Sequence, residues 1–130
     1  HSMIKMVGAD MTAAAAREVY DESGVGPDDI DVIELHDCFT SNEIITYEGL
    51  GLCKVGEGGR LLDEDRTTYG GDWVVNPSGG LLSKGHPLGA TGAIRSATVV
   101  HALQRKNLKY GMVTMCVGMG QGAAGIFEVL

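Results

Sequence analysis

Residues 85–105 of this chain decide its fold, and they have the sequence GHPLGATGAIRSATVVHALQR. The glycines within residues 85–92 predict a tight turn. From residue 91 onward, apolar side chains recur every three or four positions, which predicts an amphipathic helix over residues 91–105. Its apolar face is expected to carry Ile94, Ala97, Val100 and Leu103. A buried strand is predicted over residues 112–117, then a glycine-rich turn over 118–125 and a closing strand over 125–130.

The N-terminal part of the chain alternates helices and strands in the same way. An alanine-rich helix is predicted over residues 12–23, with Thr12 as its N-cap and Gly24 as its C-cap. A short buried strand over 31–35 follows, and then a helix over 41–50. Residues 56–72 are predicted to form a polar loop, with a short hairpin as one option. This alternation predicts a packed α/β domain.

Composition narrows the class of protein. The chain has 130 residues, 44% of them hydrophobic, and a net charge of −7. These values argue against disorder, and the acidic balance argues against nucleic-acid binding. No apolar run reaches the ~18 residues that a membrane span needs. Glycine is unusually frequent, at 20 residues against an average usage of ~7%. Because these glycines fall between predicted elements, they indicate turns and not a flexible linker.

The cysteines and the N-terminus bear on compartment and boundaries. Cys38, Cys53 and Cys116 are odd in number and widely spaced, which argues against a disulfide scaffold and a structural zinc site. A reducing compartment is therefore expected, and the protein is not expected to be secreted. Residues 1–3 resemble an expression-tag remnant, and residues 4–130 are assigned to one domain.

Four side chains with reactive chemistry stand at predicted strand ends or in glycine turns, namely His36, Cys38, His86 and Cys116. A thiol and an imidazole together suit thiolate chemistry, since the thiolate is the nucleophile or base. Each residue taken alone also fits a structural role, and His101 and Cys53 are predicted to be structural.

The glycine run that begins at Cys116 has the sequence CVGMGQG. Glycine exposes backbone N–H groups, which can form an oxyanion hole. The run lacks the lysine and hydroxyl residue of a phosphate loop and the glycine spacing of a dinucleotide site.

Together these motifs resemble a known family. HDCF at residues 36–39, Gly79-Gly80, GHPLGATG at 85–92 and CVG at 116–118 resemble, in order and spacing, the C-terminal motifs of thiolases. The resemblance covers nearly the whole chain after residue 3. The HDCF form resembles the sterol-carrier-protein-type (lipid-transfer-type) 3-ketoacyl-CoA thiolases, where most other thiolases carry an Asn-Glu-Ala-Phe run.

The resemblance implies a fold and a set of roles. The fold would be the C-terminal half of a thiolase, a mixed sheet flanked by helices, lacking its first strand here. His86 would activate the nucleophile and help hold the thioester oxygen, and His36 would position a water beside that oxygen. Cys116 would be the general acid/base, a role that Cys38 takes in some sterol-carrier-type members. The N–H of Gly118 would contribute to the second oxyanion hole.

The implied activity is thiolytic cleavage of a 3-ketoacyl-CoA by CoA, or the reverse condensation. CoA would be a substrate, with no cofactor and no metal. The family's nucleophilic cysteine is not in this chain, so the isolated chain is expected to be inactive. The N-terminal half of the same protein is an expected partner, and a homo-oligomer is expected for the full-length protein. The location would be cytoplasmic in a bacterium and peroxisomal in a eukaryote. Alternatives are an aldolase or lipid-transfer-type relative without thiolase activity, and a binding module without chemistry.

Overall fold

The computed structural model describes residues 8–118 and 121–130. The helices are α1 (Ala9–Ser23), α2 (Thr40–Gly49), α3 (Gly58–Asp63), α4 (Gly80–Lys84) and α5 (Thr91–Lys106), with a 3₁₀ turn at Pro27–Asp29. The strands are β1 (Val32–Glu34), β2 (Val74–Val75), β3 (Tyr110–Gly118) and β4 (Gln121–Glu128). Residues 1–3, predicted to be a tag remnant, are outside the described residues. The prediction that a strand is missing before residue 4 also concerns a part of the chain outside them.

The four strands form one mixed sheet in the order β2-β1-β3-β4. β1 is parallel to both β2 and β3, whereas β3 and β4 are antiparallel. In the register of β1 and β3, Val32 pairs with Gly111 and Glu34 pairs with Val113. The structure is therefore an α/β domain with a mixed sheet, as predicted.

Helices cover both faces of the sheet. α1 packs on β4 and α2, and α5 packs on β1 and β3. Because side chains alternate along a strand, neighbouring residues of β1 enter different cores. Ile33 belongs to the core under α1 and α2, and Val32 belongs to the core under α5. Cys53, predicted to be structural, packs against the first of these cores.

The predicted apolar face of α5 is wrong in part. Leu103 is buried, but Ile94 is 41% exposed and Ala97 is exposed. The buried face instead contains Thr91, Arg95, Val99, Ala102 and Leu103. The helix is rotated away from the apolar pattern because Arg95 is buried against two carboxylates that face α5.

The polar segment predicted over residues 56–72 contains α3 and, among the described residues, no hairpin. α3 can lie against α2 because Gly58 has no side chain: a Cβ there would be 2.6 Å from the Ile44 carbonyl oxygen. Neither α3 nor the five-residue helix α4 was predicted from the sequence.

Two smaller predictions also need correction. α1 begins at Ala9 with Gly8 as its N-cap, so Thr12 lies inside the helix, whereas Gly24 is the C-cap as predicted. β4 begins at Gln121, inside the run predicted to be a turn, because β3 and β4 pair closely. No helix in residues 8–118 or 121–130 has the length and apolar character needed to cross a membrane.

Candidate functional site

The predicted site residues collect at one edge of the sheet. β1 and β3 are parallel neighbours, so their carboxyl ends lie side by side. His36 and Cys38 follow the end of β1, and Cys116 lies near the end of β3. The register of the sheet therefore brings together groups that are about 80 residues apart in sequence.

A cleft of 350 Å³ opens at this edge. His36, Cys38 and Cys116 line it, and its walls come from α1, α2 and β4. Many of the wall residues are apolar, among them Met11, Ala15, Phe39, Ile45 and Ala124. His86 and Gly118 are not among the described residues that line the cleft.

His86 reaches the site through a ring contact with His36. Their ring centroids are 5.0 Å apart and the rings are nearly perpendicular, at 87°. Nδ1 of His86 is 2.8 Å from Oγ1 of Thr91, whose hydroxyl donates to the Pro87 carbonyl at 3.0 Å. In the tautomer in which the Thr91 hydroxyl donates to Pro87, Nδ1 of His86 is the donor to Thr91. Nε2 then carries no proton in the neutral ring, which is the form a general base requires.

His36 is buried just beyond the C-terminal end of β1, with 8% of its surface exposed. Its carbonyl accepts from Nδ2 of Asn42 at 2.5 Å, while its own Nδ1 has no hydrogen-bond partner among the described residues. Burial lowers the pKa of His36, and electrostatic interactions with His86 and Arg95 lower it further against the opposing effect of Asp37. The imidazole is thus held neutral near pH 7, with one ring nitrogen still to be satisfied.

The two site cysteines have different surroundings. Cys38 is exposed as a residue, whereas Cys116 is half-buried on β3. Loss of water around the sulfur raises the pKa of Cys38, and the proximity of Cys116 raises it further. Cys38 is therefore a thiol at neutral pH and can donate a proton.

Gly118 ends β3 with φ of +95°, a backbone conformation that favours glycine. The ladder with β4 shifts register between Cys116 and Gly118, so the backbone leaves the regular strand there. The rest of the glycine run at 119–120 lies outside the described residues. The oxyanion role of the Gly118 N–H stays a prediction.

A buried ionic cluster beside the site was not predicted from the sequence. Arg95 donates from Nη1 to Oε2 of Glu34 at 2.8 Å and from Nη2 to Oδ1 of Asp37 at 2.9 Å. All three side chains are at most 4% exposed. The backbone N–H of Ser78 also donates to Glu34, and that of Leu81 donates to Asp37. The sequence did hold a signal for this cluster, because Glu34 is a charged residue within an apolar strand and Arg95 lies on an amphipathic helix.

No cluster of three or more His, Cys, Asp or Glu side chains that could hold a metal occurs in the described part of the chain. The fold and site together define an α/β domain whose sheet edge carries a partly apolar cleft lined by His36, Cys38 and Cys116, with the ring of His86 against His36. Residues 1–129 match the family model described as thiolase C-terminal domain-like, and the chain belongs to that family.

Two relatives and one solved structure illustrate the similarity. The chain is 53% identical to sterol carrier protein 2 of Rattus norvegicus over 129 residues, which is 96% of this chain and 24% of the relative. It is 41% identical to an acetyl-CoA acetyltransferase of Methanothermobacter thermautotrophicus over 125 residues, covering 96% of this chain and 33% of the relative. A solved structure, the Ltp2-ChsH2(DUF35) aldolase, superposes with a TM-score of 0.75 at 26% identity, covering 88% of this chain and 30% of that one. The chain thus spans about a quarter to a third of the length of these proteins.

Proposed function

We propose that this chain supplies the C-terminal part of the active site of an acyl-CoA thiolase. The observation that carries the proposal is the meeting of His36, Cys38 and Cys116 in one cleft, with the His86 ring against His36. A base and two thiols at one apolar cleft suit transfer of an acyl group between sulfur atoms. The relationship to an acetyl-CoA acetyltransferase supports the same reaction class.

In this proposal the nucleophilic cysteine comes from the N-terminal half of the full-length protein. Nε2 of His86 takes the proton from that thiol, and the thiolate attacks the 3-keto carbonyl of the substrate. The bond between the α- and β-carbons then breaks, and the carbanion at the α-carbon takes a proton from the acid/base cysteine. The acid/base cysteine, now a thiolate, takes the proton of CoA, and the CoA thiolate attacks the resulting thioester and displaces the nucleophilic cysteine as a thiolate. That thiolate takes back its proton from His86, which restores the starting state.

His36 and Gly118 are proposed to act on the oxygens that gain negative charge. The buried neutral ring of His36, with an unpaired Nδ1, can hold a water or donate to such an oxygen. The N–H of Gly118 is proposed for the second oxyanion hole. The apolar walls of the cleft suit the acyl part of the substrate, and CoA acts as a substrate with no cofactor required.

The acid/base role stays open between two residues. Cys38 has a raised pKa and is protonated at neutral pH, which suits a donor to the carbanion. Cys116 precedes the glycine run that resembles the general thiolase pattern. Cys38→Ser and Cys116→Ser should be compared in the full-length protein, where the true acid/base gives the larger loss in kcat. Equal small losses would exclude both.

The proposal is tested by measuring thiolysis of a 3-ketoacyl-CoA with the full-length protein. His86→Ala is expected to lower kcat/KM by about 10²–10⁴-fold, the usual contribution of a general base. His101→Ala is the matched control, because His101 is an exposed histidine on α5 outside the cleft. The purified 130-residue chain is expected to show no thiolysis. Turnover by that chain, or equal activity of the two variants, would contradict the proposal.

A second candidate is a lipid-transfer-type or aldolase protein without thiolase activity. It is favoured by the name of the Rattus norvegicus relative and by the superposition on an aldolase. Transfer of a fluorescent sterol between vesicles, and carbon–carbon cleavage without CoA, should be measured on the same preparation. Either activity without thiolysis would favour this candidate. The assembly partners and the compartment of the full-length protein stay predictions.

A further inference from the structure

Asp37 stands between two site residues but does not line the cleft itself. Its residue surface is only 3% exposed, while its neighbours His36 and Cys38 both reach the cleft. Oδ1 accepts from the backbone N–H of Leu81 at 2.7 Å and from Nη2 of Arg95 at 2.9 Å. A buried carboxylate with two such donors is firmly held.

The two donors lie on either side of His86 in the chain. Leu81 belongs to α4 and Arg95 belongs to α5, and His86 is on the segment that connects these helices. One carboxylate therefore joins the segment that carries His36 to both ends of the segment that carries His86.

The pair formed by Asp37 and Arg95 is itself fixed to the sheet and closely packed. The other branch of the Arg95 guanidinium binds Glu34, the last residue of β1. Gly80 lies directly against the Asp37 carboxylate, and a Cβ at that position would overlap its oxygens. The planar fork of arginine suits two carboxylates at fixed positions, which a lysine ammonium cannot reproduce.

We propose that Asp37 and Arg95 are positioning residues that hold the rings of His36 and His86 in their 5.0 Å edge-to-face contact. Neither residue is among those that line the cleft. Loss of either one separates the two imidazoles and slows the chemical step, a kinetic consequence that rests on the proposed thiolase function.

Asp37→Asn is the sharpest variant for the test. It keeps the shape of the side chain but removes the negative charge, so the bonds that Oδ1 accepts from Leu81 and Arg95 are no longer charge-assisted and hold the two segments less firmly. Arg95 remains neutralised by Glu34, so folding should be retained. Asp31→Asn is the matched control. Asp31 precedes β1 at its opposite end and accepts from two backbone N–H groups, those of Lys109 and Tyr110, at 2.9 and 3.0 Å.

Steady-state thiolysis by the full-length protein gives the first readout. Asp37→Asn is expected to lower kcat by about 10²-fold, the effect of a misplacement near 1 Å, with KM little changed. Arg95→Lys should follow it, while Asp31→Asn should keep the wild-type kcat even where it lowers thermal stability. Equal kcat in Asp37→Asn and wild type would overturn the proposal, as would a matching loss in Asp31→Asn.

Crystal structures of the same full-length variants give a readout that does not depend on activity. The distance between the two ring centroids should increase in Asp37→Asn and stay at its wild-type value in Asp31→Asn. An unchanged distance in Asp37→Asn would overturn the positioning role. If the wild-type protein shows no thiolysis, the proposed function fails, and this distance still decides the role of Asp37.

Discussion

Gly80→Ala should be among the more damaging single-methyl additions to this domain. Gly80 has φ of +66°, so an alanine there adopts an unfavourable left-handed backbone. Its Cβ would also overlap the carboxylate of Asp37, which is fixed by Arg95 and Leu81 and cannot move without losing a hydrogen bond.

The magnitude follows from these separate costs. The left-handed backbone costs about 1–2 kcal/mol. Overpacking adds about 1–3 kcal/mol, and loss of a hydrogen bond to a charged group adds about 1.5–3 kcal/mol if the carboxylate moves. Gly24→Ala is the matched control, because Gly24 has φ of +69° and an added Cβ would meet no atom within 4 Å. It should cost only about 1–2 kcal/mol, the backbone contribution.

Urea unfolding followed by tryptophan fluorescence measures both variants. Trp73 is the single tryptophan of the chain and is 4% exposed, so its emission should report loss of the core. The free energy of unfolding should fall by at least about 2 kcal/mol more in Gly80→Ala than in Gly24→Ala. Equal losses in the two variants would refute the claim that a fixed carboxylate fills the space beside Gly80.

Three further predictions concern the reactive groups. Thr91→Val in the full-length protein should lower kcat by about tenfold, because His86 loses the acceptor that fixes its tautomer, whereas Thr91→Ser should retain activity. The folded pKa of His36 is lower than its unfolded value, so its stabilising contribution is present above the unfolded pKa near 6.5 and is lost as pH falls below it. His36→Gln should weaken that pH dependence in thermal unfolding, and an identical profile would contradict it. Alkylation of Cys38 by iodoacetamide should rise with pH around a midpoint above the ordinary value of 9.0, and Cys116→Ser should lower that midpoint. A midpoint at or below 9.0 in the wild type would contradict the burial argument.

The local features of the fold could be predicted from the sequence. The strand before HDCF and the helix after GHPLGATG follow from short apolar runs and glycine turns, which are local signals. The edge at which His36, Cys38 and Cys116 meet also follows, since parallel strands end side by side.

What could not be predicted depends on contacts between distant residues. The Arg95–Glu34 bond joins residues 61 positions apart, and no local pattern shows that an arginine will be buried. For the same reason the buried face of α5 was predicted wrongly. The hydrophobic pattern treats Arg95 as exposed and Ile94 as buried, whereas the structure shows the reverse. The glycines were expected in turns, but Gly111 lies in β3, where its missing side chain leaves room for Val99 and Leu103.

The alternation of side chains along β3 has a consequence for how this domain tolerates insertions and deletions. Thr114 and Cys116 line the cleft, whereas Val113, one position away, faces α5. Side chains alternate between the two faces of a strand, so deleting one residue from the outer part of β3 would turn the Cys116 sulfur toward the opposite helix layer. A deletion of this kind changes which face of the sheet carries the cysteine, whereas a substitution elsewhere on the strand does not. The register of β3 thus determines which face of the sheet carries the reactive cysteine, as well as how the strands pair.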